Sequence, residues 1–217
     1  MSNYYKSREA AGGYGNTVLY RMCLEDQPRH VDPDVVAGKM WLIGRSYSAS
    51  PERGAGETPT GEHPDFFRWV AERVEWRHLD EKLDALSTHN VFGQNSLDQI
   101  LEIHESLRQA LRKATQLRVN GGEPRQHTSF CSKYLHFHKP DHFPIFDSYV
   151  SSAVTRETGA RKRFAFEAGR HDRKYSRFCQ QIMIYREGKS HLTLRDIDRE
   201  LYESQRKYRM RKKIDAL

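Results

Sequence analysis

Cysteine is scarce in this chain. Only Cys23, Cys131 and Cys179 occur, an odd number with no C-x-x-C pair. That excludes a disulfide framework as the organiser of the fold, argues against a structural zinc site, and fits a reducing compartment. No apolar run approaches membrane-spanning length, and the opening residues, Met-Ser-Asn-Tyr-Tyr-Lys-Ser-Arg-Glu, lack an apolar leader core. The expected setting is therefore cytoplasmic, with no membrane partner. Alternating apolar and polar residues are missing except near the N-terminus, and there is neither an internal repeat nor a coiled-coil heptad, so a sheet-based fold is not expected. Acidic residues are the minority: 29 Asp and Glu stand against 36 Lys and Arg, a net charge of +7 and a pI of about 9.3. A surplus of that sign favours a polyanionic partner, because each neutralised phosphate releases counterions.

Aromatic residues, by contrast, are plentiful. Ten Phe, eleven Tyr and three Trp can fill a core even though apolar residues make up only 37% of the chain. Residues 1–16 are polar, with Gly12, Gly13 and Gly15, and suggest a flexible arm. Residues 17–24 fit a short strand or a helical turn equally well. From residue 17 to 217 we expect a single, mainly α domain, which could divide into two lobes. Asp32-Pro33-Asp34 opens a helix with proline at its first position. Residues 51–63 are rich in Gly, Pro, Thr and Glu and mark a loop. His63-Pro64-Asp65 starts a second helix, which continues helically through residues 77–87. Asn95-Ser96 caps a long helix to about Val119. Further helices are expected over about 127–138, 147–157, 171–187 and 193–213.

The segment Cys131-Ser-Lys-Tyr-Leu-His-Phe-His-Lys-Pro-Asp-His-Phe-Pro-Ile-Phe-Asp-Ser148 carries most of the chemistry. A polar and aromatic helix runs through a loop into the apolar stretch Phe143-Pro-Ile-Phe146, and one acid, Asp147, opens the next helix. A carboxylate at the positive end of a helix with an apolar wall beside it can hold charge next to a substrate. The same residue type is an ordinary N-cap. Lys133 lies 14 residues earlier, on the side of its helix that carries Ser129, Ser132 and His136. A dry wall and a nearby carboxylate could tune its amine toward nucleophilic use; salt bridging or phosphate binding are equally compatible. His136, His138, Asp141 and His142 read H-x-H-x-x-D-H, one residue longer than the metallo-β-lactamase pattern, so no metal is expected.

Asn120-Gly-Gly-Glu-Pro124 joins two helices and outlines a helix–hairpin–helix, whose backbone N–H groups can face a phosphate; a plain helical turn gives the same outline. In Trp41-Leu-Ile-Gly-Arg-Ser-Tyr47, Arg45 and Tyr47 could meet a base or phosphate, while Trp41, which could also face a base, is expected first as a core residue. Basic runs recur after Asp147: Arg161-Lys162-Arg163, residues 170–174, and residues 206–213. With Tyr175 and Tyr208 interleaved, they fit a nucleic-acid face better than three solvated surfaces.

Ser132-Lys-Tyr-Leu-His-Phe followed by Phe143-Pro-Ile-Phe-Asp-Ser148 resembles the core of the helix–hairpin–helix DNA glycosylases, and within them the bacterial branch with the 8-oxoguanine-glycosylase fold, some members of which act in phage defence. The resemblance covers roughly residues 95–157. It implies a helical glycosylase-like architecture and a monomer acting on double-stranded DNA with a modified base. It also implies base flipping and hydrolysis of the N-glycosidic bond to leave an abasic site, without a cofactor. Asp147 takes the catalytic position, with Lys133 as a possible second catalytic group. Trp41, Arg45, Tyr47, Ser129 and Phe146 would line the base pocket. Gly121, Gly122, Arg125, His127, Arg161, Lys162, Arg163, Arg173 and Lys174 would contact DNA. Two departures stand out. The hairpin lacks the family's Leu-Pro-Gly-Val-Gly, and the lysine of strand-cleaving members would fall near Thr128 rather than at Lys133. A monofunctional enzyme therefore fits better than a lyase. A bulky modified phage pyrimidine, such as glucosylated hydroxymethylcytosine, is favoured as target over an oxidised purine. The competing classes are a DNA-binding module without catalysis and a metal-dependent nuclease built on His136, His138 and His142.

Overall fold

The computed structural model describes residues 9–53, 55–56, 65–86, 91–118, 126–159 and 171–215, with residues 9–14 as backbone only. Among them the structure is helical, with no strand. The helices are α1 (Glu9–Arg21), α2 (Pro33–Ser46), α3 (Phe66–Arg73), α4 (Trp76–Asp84), α5 (Leu97–Gln116), α6 (Thr128–His138), α7 (Ser148–Thr158), α8 (Arg173–Arg186) and α9 (Leu194–Ile214). The mainly α expectation holds. Three local expectations are corrected. The second helix does not continue through residues 77–87: it breaks at extended Val74 into α3 and α4, the latter ending at Asp84. Residues 17–24, left open between strand and helical turn, belong to α1 and to the π-helical turn Met22–Asp26 that extends it, and α1 takes in residues 9–16 of the expected arm as well. Ser96 does not cap α5 with its side chain. Its hydroxyl donates to Val91 O at 2.9 Å and accepts from Gly93 N at 3.1 Å, closing the turn in front of the helix.

Helix starts follow side-chain chemistry. Asp32 accepts from Asp34 N, Asp65 from Arg68 N, Asp172 from Lys174 N and Tyr175 N, and Thr193 forms a reciprocal capping box with Asp196. Each satisfies backbone donors that the first helical turn leaves open. Gly44 in α2 lets the following turn fold back closely: a Cβ there would sit 3.0 Å from Ser50 Cα.

Helix α6 is the centre of the molecule. It packs against α1, the π-turn, α2 and α5, and every residue from Phe130 to His138 is buried. Its aromatic residues stack with one another and outward: Phe130 on Tyr134, and Tyr134 on Trp76, His30 and His138. Helices α7, α8 and α9 form a second group, α7 lying between the other two. The chain passes from the first group to the second through residues 139–147, the segment that carries the candidate site.

Candidate active site

Residues 143–147 lead from α6 to α7 with neither helix nor strand structure. Such a segment has no ladder to satisfy its backbone, so side chains must do so. His136 Nδ1 donates to Phe143 O at 2.8 Å, and the Tyr175 hydroxyl of α8 donates to Pro144 O at 3.1 Å. Phe146 N donates to Ser132 Oγ at 3.0 Å, while Ser129 Oγ donates to Phe146 O, also at 3.0 Å. Phe146 packs edge-on against Phe178 with ring centres 5.2 Å apart. The segment is pinned by α6 on one side and α8 on the other. Asp147, the next residue, is therefore held in position by four hydrogen bonds to the backbone before it rather than by its own contacts alone.

Asp147 is the N-cap of α7. Its backbone is extended, and Oδ1 accepts from Val150 N at 2.8 Å. Oδ2 has no hydrogen-bond partner among the described residues, and the side chain is partly open to solvent. Lys133 lies behind it, 2% exposed, its Nζ donating to Ser129 Oγ at 2.7 Å and standing 5.8 Å from the Tyr47 ring centre. Burial pulls the Lys133 amine below its ordinary value, while the nearby charges of Asp147 and Asp198 hold it up. Asp198, on α9, completes the group. Burial pushes its carboxyl up to about 6; Arg195, whose Nη1 is 2.7 Å from Asp198 Oδ2, opposes that, and Asp147 adds to it. Tyr47 closes the far side, its hydroxyl donating to Asn16 Oδ1 at 2.7 Å and its phenol pushed up by burial to about 12. Two carboxylates, one buried amine and one guanidinium thus share a corner formed by α6, α7, α9 and the end of α2. Such a corner can hold a developing positive charge and store or release one proton near neutral pH.

The expected site residues divide. Asp147, Lys133, Ser129, Phe146 and Tyr47 come together. Arg45 does not join them: it is exposed and ion-paired with Glu52. Trp41 is neither core nor part of this corner. It is 47% exposed and lines an open groove of about 600 Å³ between α2 and α3, beside Gly38, Asp65, Phe67 and Arg68. The polar side of α6 lies largely inside the protein. Ser132, Lys133 and His136 are buried, and their polar atoms meet the 143–146 segment, Ser129 or, for His136 Nε2, the Tyr20 hydroxyl at 2.6 Å. The histidines diverge rather than converge. His138 donates through Nδ1 to Tyr134 O, with Lys39 Nζ at 3.3 Å from Nε2, and among the described residues no group of His, Cys, Asp or Glu is placed to hold a metal.

Among the residues expected to contact DNA, Arg173 and Lys174 are exposed on the first turn of α8. His127 is nearly buried, in the left-handed region at φ 50°, where it ends the approach to α6. Gly121, Gly122, Arg125, Arg161, Lys162 and Arg163 lie outside the described residues.

No family model, curated protein or solved structure matches this chain. The site's chemistry therefore rests on its own geometry. Sequence reasoning missed Asp198 and Arg195, which lie far along the chain on the last helix. Their one signal was an acid and a base three residues apart, a spacing that usually means only a surface pair. It also missed Lys39, fully buried on α2 with its Nζ on Arg29 O at 3.0 Å, and His30, whose Nδ1 meets Asp80 Oδ1 at 2.6 Å. No helix among the described residues is long and apolar enough to cross a membrane.

Proposed function

We propose that the protein is a DNA N-glycosylase that removes a modified base by hydrolysis. One observation carries the reading: a partly open carboxylate, Asp147, sits at a helix N-terminus, fixed by a segment that is hydrogen-bonded to Ser129 and Ser132 of α6, and Ser129 also accepts from the buried Lys133. In this reading a nucleotide flipped out of the duplex, at a cost of a few kcal/mol, brings its sugar to Asp147. As the N-glycosidic bond stretches, its electron pair leaves with the base and positive charge builds on the sugar. Asp147 stabilises that charge through Oδ2. A water then bonds to C1′ and gives up a proton. Asp198, poised near pH 6, is suited to exchange protons with the departing base or that water. Lys133 is enclosed and already bonded to Ser129, which supports water rather than the amine as nucleophile. The resemblance of residues 132–148 to the phage-defence branch favours a bulky modified pyrimidine of phage DNA as the target over an oxidised purine.

Incubating purified protein with genomic DNAs of differing base modification tests this. Mass spectrometry should find a free modified base, and alkali should reveal a matching number of abasic sites. Strand nicks without alkali would instead assign Lys133 a Schiff-base role. Binding without base release from any of the DNAs would favour a non-catalytic DNA-binding module.

A further inference from the structure

Helix α9 runs on past the body of the protein. Gln205 is its last buried residue, and residues 206–215 are all exposed. This projecting stretch holds six cations, Arg206, Lys207, Arg209, Arg211, Lys212 and Lys213, and before Asp215 no acid. On the helix, Arg199, Tyr202, Arg206, Arg209 and Lys213 succeed one another at steps of three and four, so they form a single stripe about 21 Å long. All five are exposed. Tyr202 stacks on Tyr149 of α7 with centres 5.5 Å apart and planes 23° from parallel, and the Arg209 guanidinium lies 4.1 Å over the Tyr149 ring. On the flank, Arg156 of α7 lies 4.5 Å over Tyr208. Ring contacts thus hold the projecting helix against α7 without neutralising it. Of the stripe's cations, Arg199 faces Asp196 at 3.4 Å and Arg206 faces Glu203 at 3.2 Å. Exposed pairs of this kind are worth little and are readily exchanged for a stronger anion.

We propose that this stripe is a docking track for the phosphate backbone of duplex DNA, lying outside the corner around Asp147. The partner class rests on the reading of DNA as the substrate. Charge complementarity argues for it: like charges crowded on an exposed helix repel, and a row of phosphates relieves that repulsion while releasing counterions. A lipid surface fits less well, because the exposed apolar residues Met210 and Ile214 are interleaved with Lys207 and Arg211 and form no continuous apolar face.

The test compares the full-length protein with two variants of equal net charge. One is Arg206→Gln, Arg209→Gln and Lys213→Gln; the other is the control Arg21→Gln, Arg53→Gln and Arg77→Gln. Binding of an unmodified duplex oligonucleotide is measured by fluorescence anisotropy from 50 to 300 mM salt, with circular dichroism confirming that each variant is folded. The stripe variant should lose about 2.7 from the slope of log K against log salt, and about 100-fold in affinity near 0.15 M. The control should stay close to wild type. Equal losses in the two variants, no loss in the stripe variant, or absence of duplex binding by wild type would overturn the proposal, as would stripe-dependent binding to phosphatidylserine vesicles in place of duplex. Base release is scored separately. Wild type that binds through the stripe yet frees no base refutes the glycosylase reading and leaves the stripe intact; base release with unchanged binding by the stripe variant does the reverse.

Discussion

Replacing Asp147 by asparagine and by alanine separates its two roles. The side chain caps α7 through Val150 N at 2.8 Å. Asparagine keeps an acceptor there and loses only the charge, worth about 0.3–1 kcal/mol at a helix N-terminus. Alanine loses the acceptor as well, a further cost of about 1 kcal/mol. In a domain of this size that difference is about 2–4 °C in Tm. Scanning calorimetry should therefore rank wild type, asparagine and alanine in descending order with small steps. Base release should behave differently. If Oδ2 stabilises charge on the sugar, both variants lose the carboxylate equally, and single-turnover release should fall about 10²–10³-fold in each. Retention of wild-type release by Asp147→Asn would refute a chemical role and leave a helix cap alone. Equal Tm values for the asparagine and alanine variants would refute the capping geometry instead.

Burial sets the remaining expectations. His104 is buried and stacked 3.8 Å from Tyr175, and burial holds its imidazole down at about 4. An unfolded chain takes up that proton below about 6.5, so the stability His104 confers is complete above pH 6.5 and drains away toward pH 4. Urea unfolding from pH 7.5 to 4 should show the stability gap between wild type and His104→Phe shifting by about 3 kcal/mol against wild type, and a constant gap would contradict the burial. Asp198 acts in the opposite sense: its raised carboxyl stabilises below pH 3.8 and loses that contribution as pH rises through about 6, so Asp198→Asn should stay the more level of the two between pH 4 and 6. Gly44→Ala should cost about 1 kcal/mol or more in chemical denaturation, since its Cβ meets the Ser50 backbone; an unchanged midpoint would mean the turn gives way. Cys23, Cys131 and Cys179 are buried with their thiols pushed up by burial, so a thiol reagent at pH 7.5 should label them only on unfolding.

The helices were legible because their signals are local. Asp32-Pro33-Asp34, Asp65, Asp147 and Thr193 each begin a helix within a residue of where capping chemistry puts it. Residues 17–24 were ambiguous because eight residues cannot distinguish periods; packing against α6 decides for helix. Asp147 and Lys133 stood out because apolar Phe143–Phe146 separates them, and the segment's backbone needs drew Ser129 and Ser132 to it. Trp41 failed as a core residue because a helix's buried face is set by its partners: α2 turns Val36, Met40 and Ile43 inward and leaves position 41 outside. Asp198 could not be found from spacing, since its neighbourhood is assembled by α7 lying against α9, a long-range contact.

The projecting part of α9 has a thermal consequence. Beyond Gln205 the last nine residues of α9 bury no side chain and depend on propagation from the packed half of the helix and on the ring contacts of Tyr208 and Arg209 with α7. Heat should unwind this extension ahead of the body, in a shallow early step at low ionic strength. Added salt shortens the reach of cation–cation repulsion from about 30 Å at 0.01 M to about 8 Å at 0.15 M and should merge that step into the main transition.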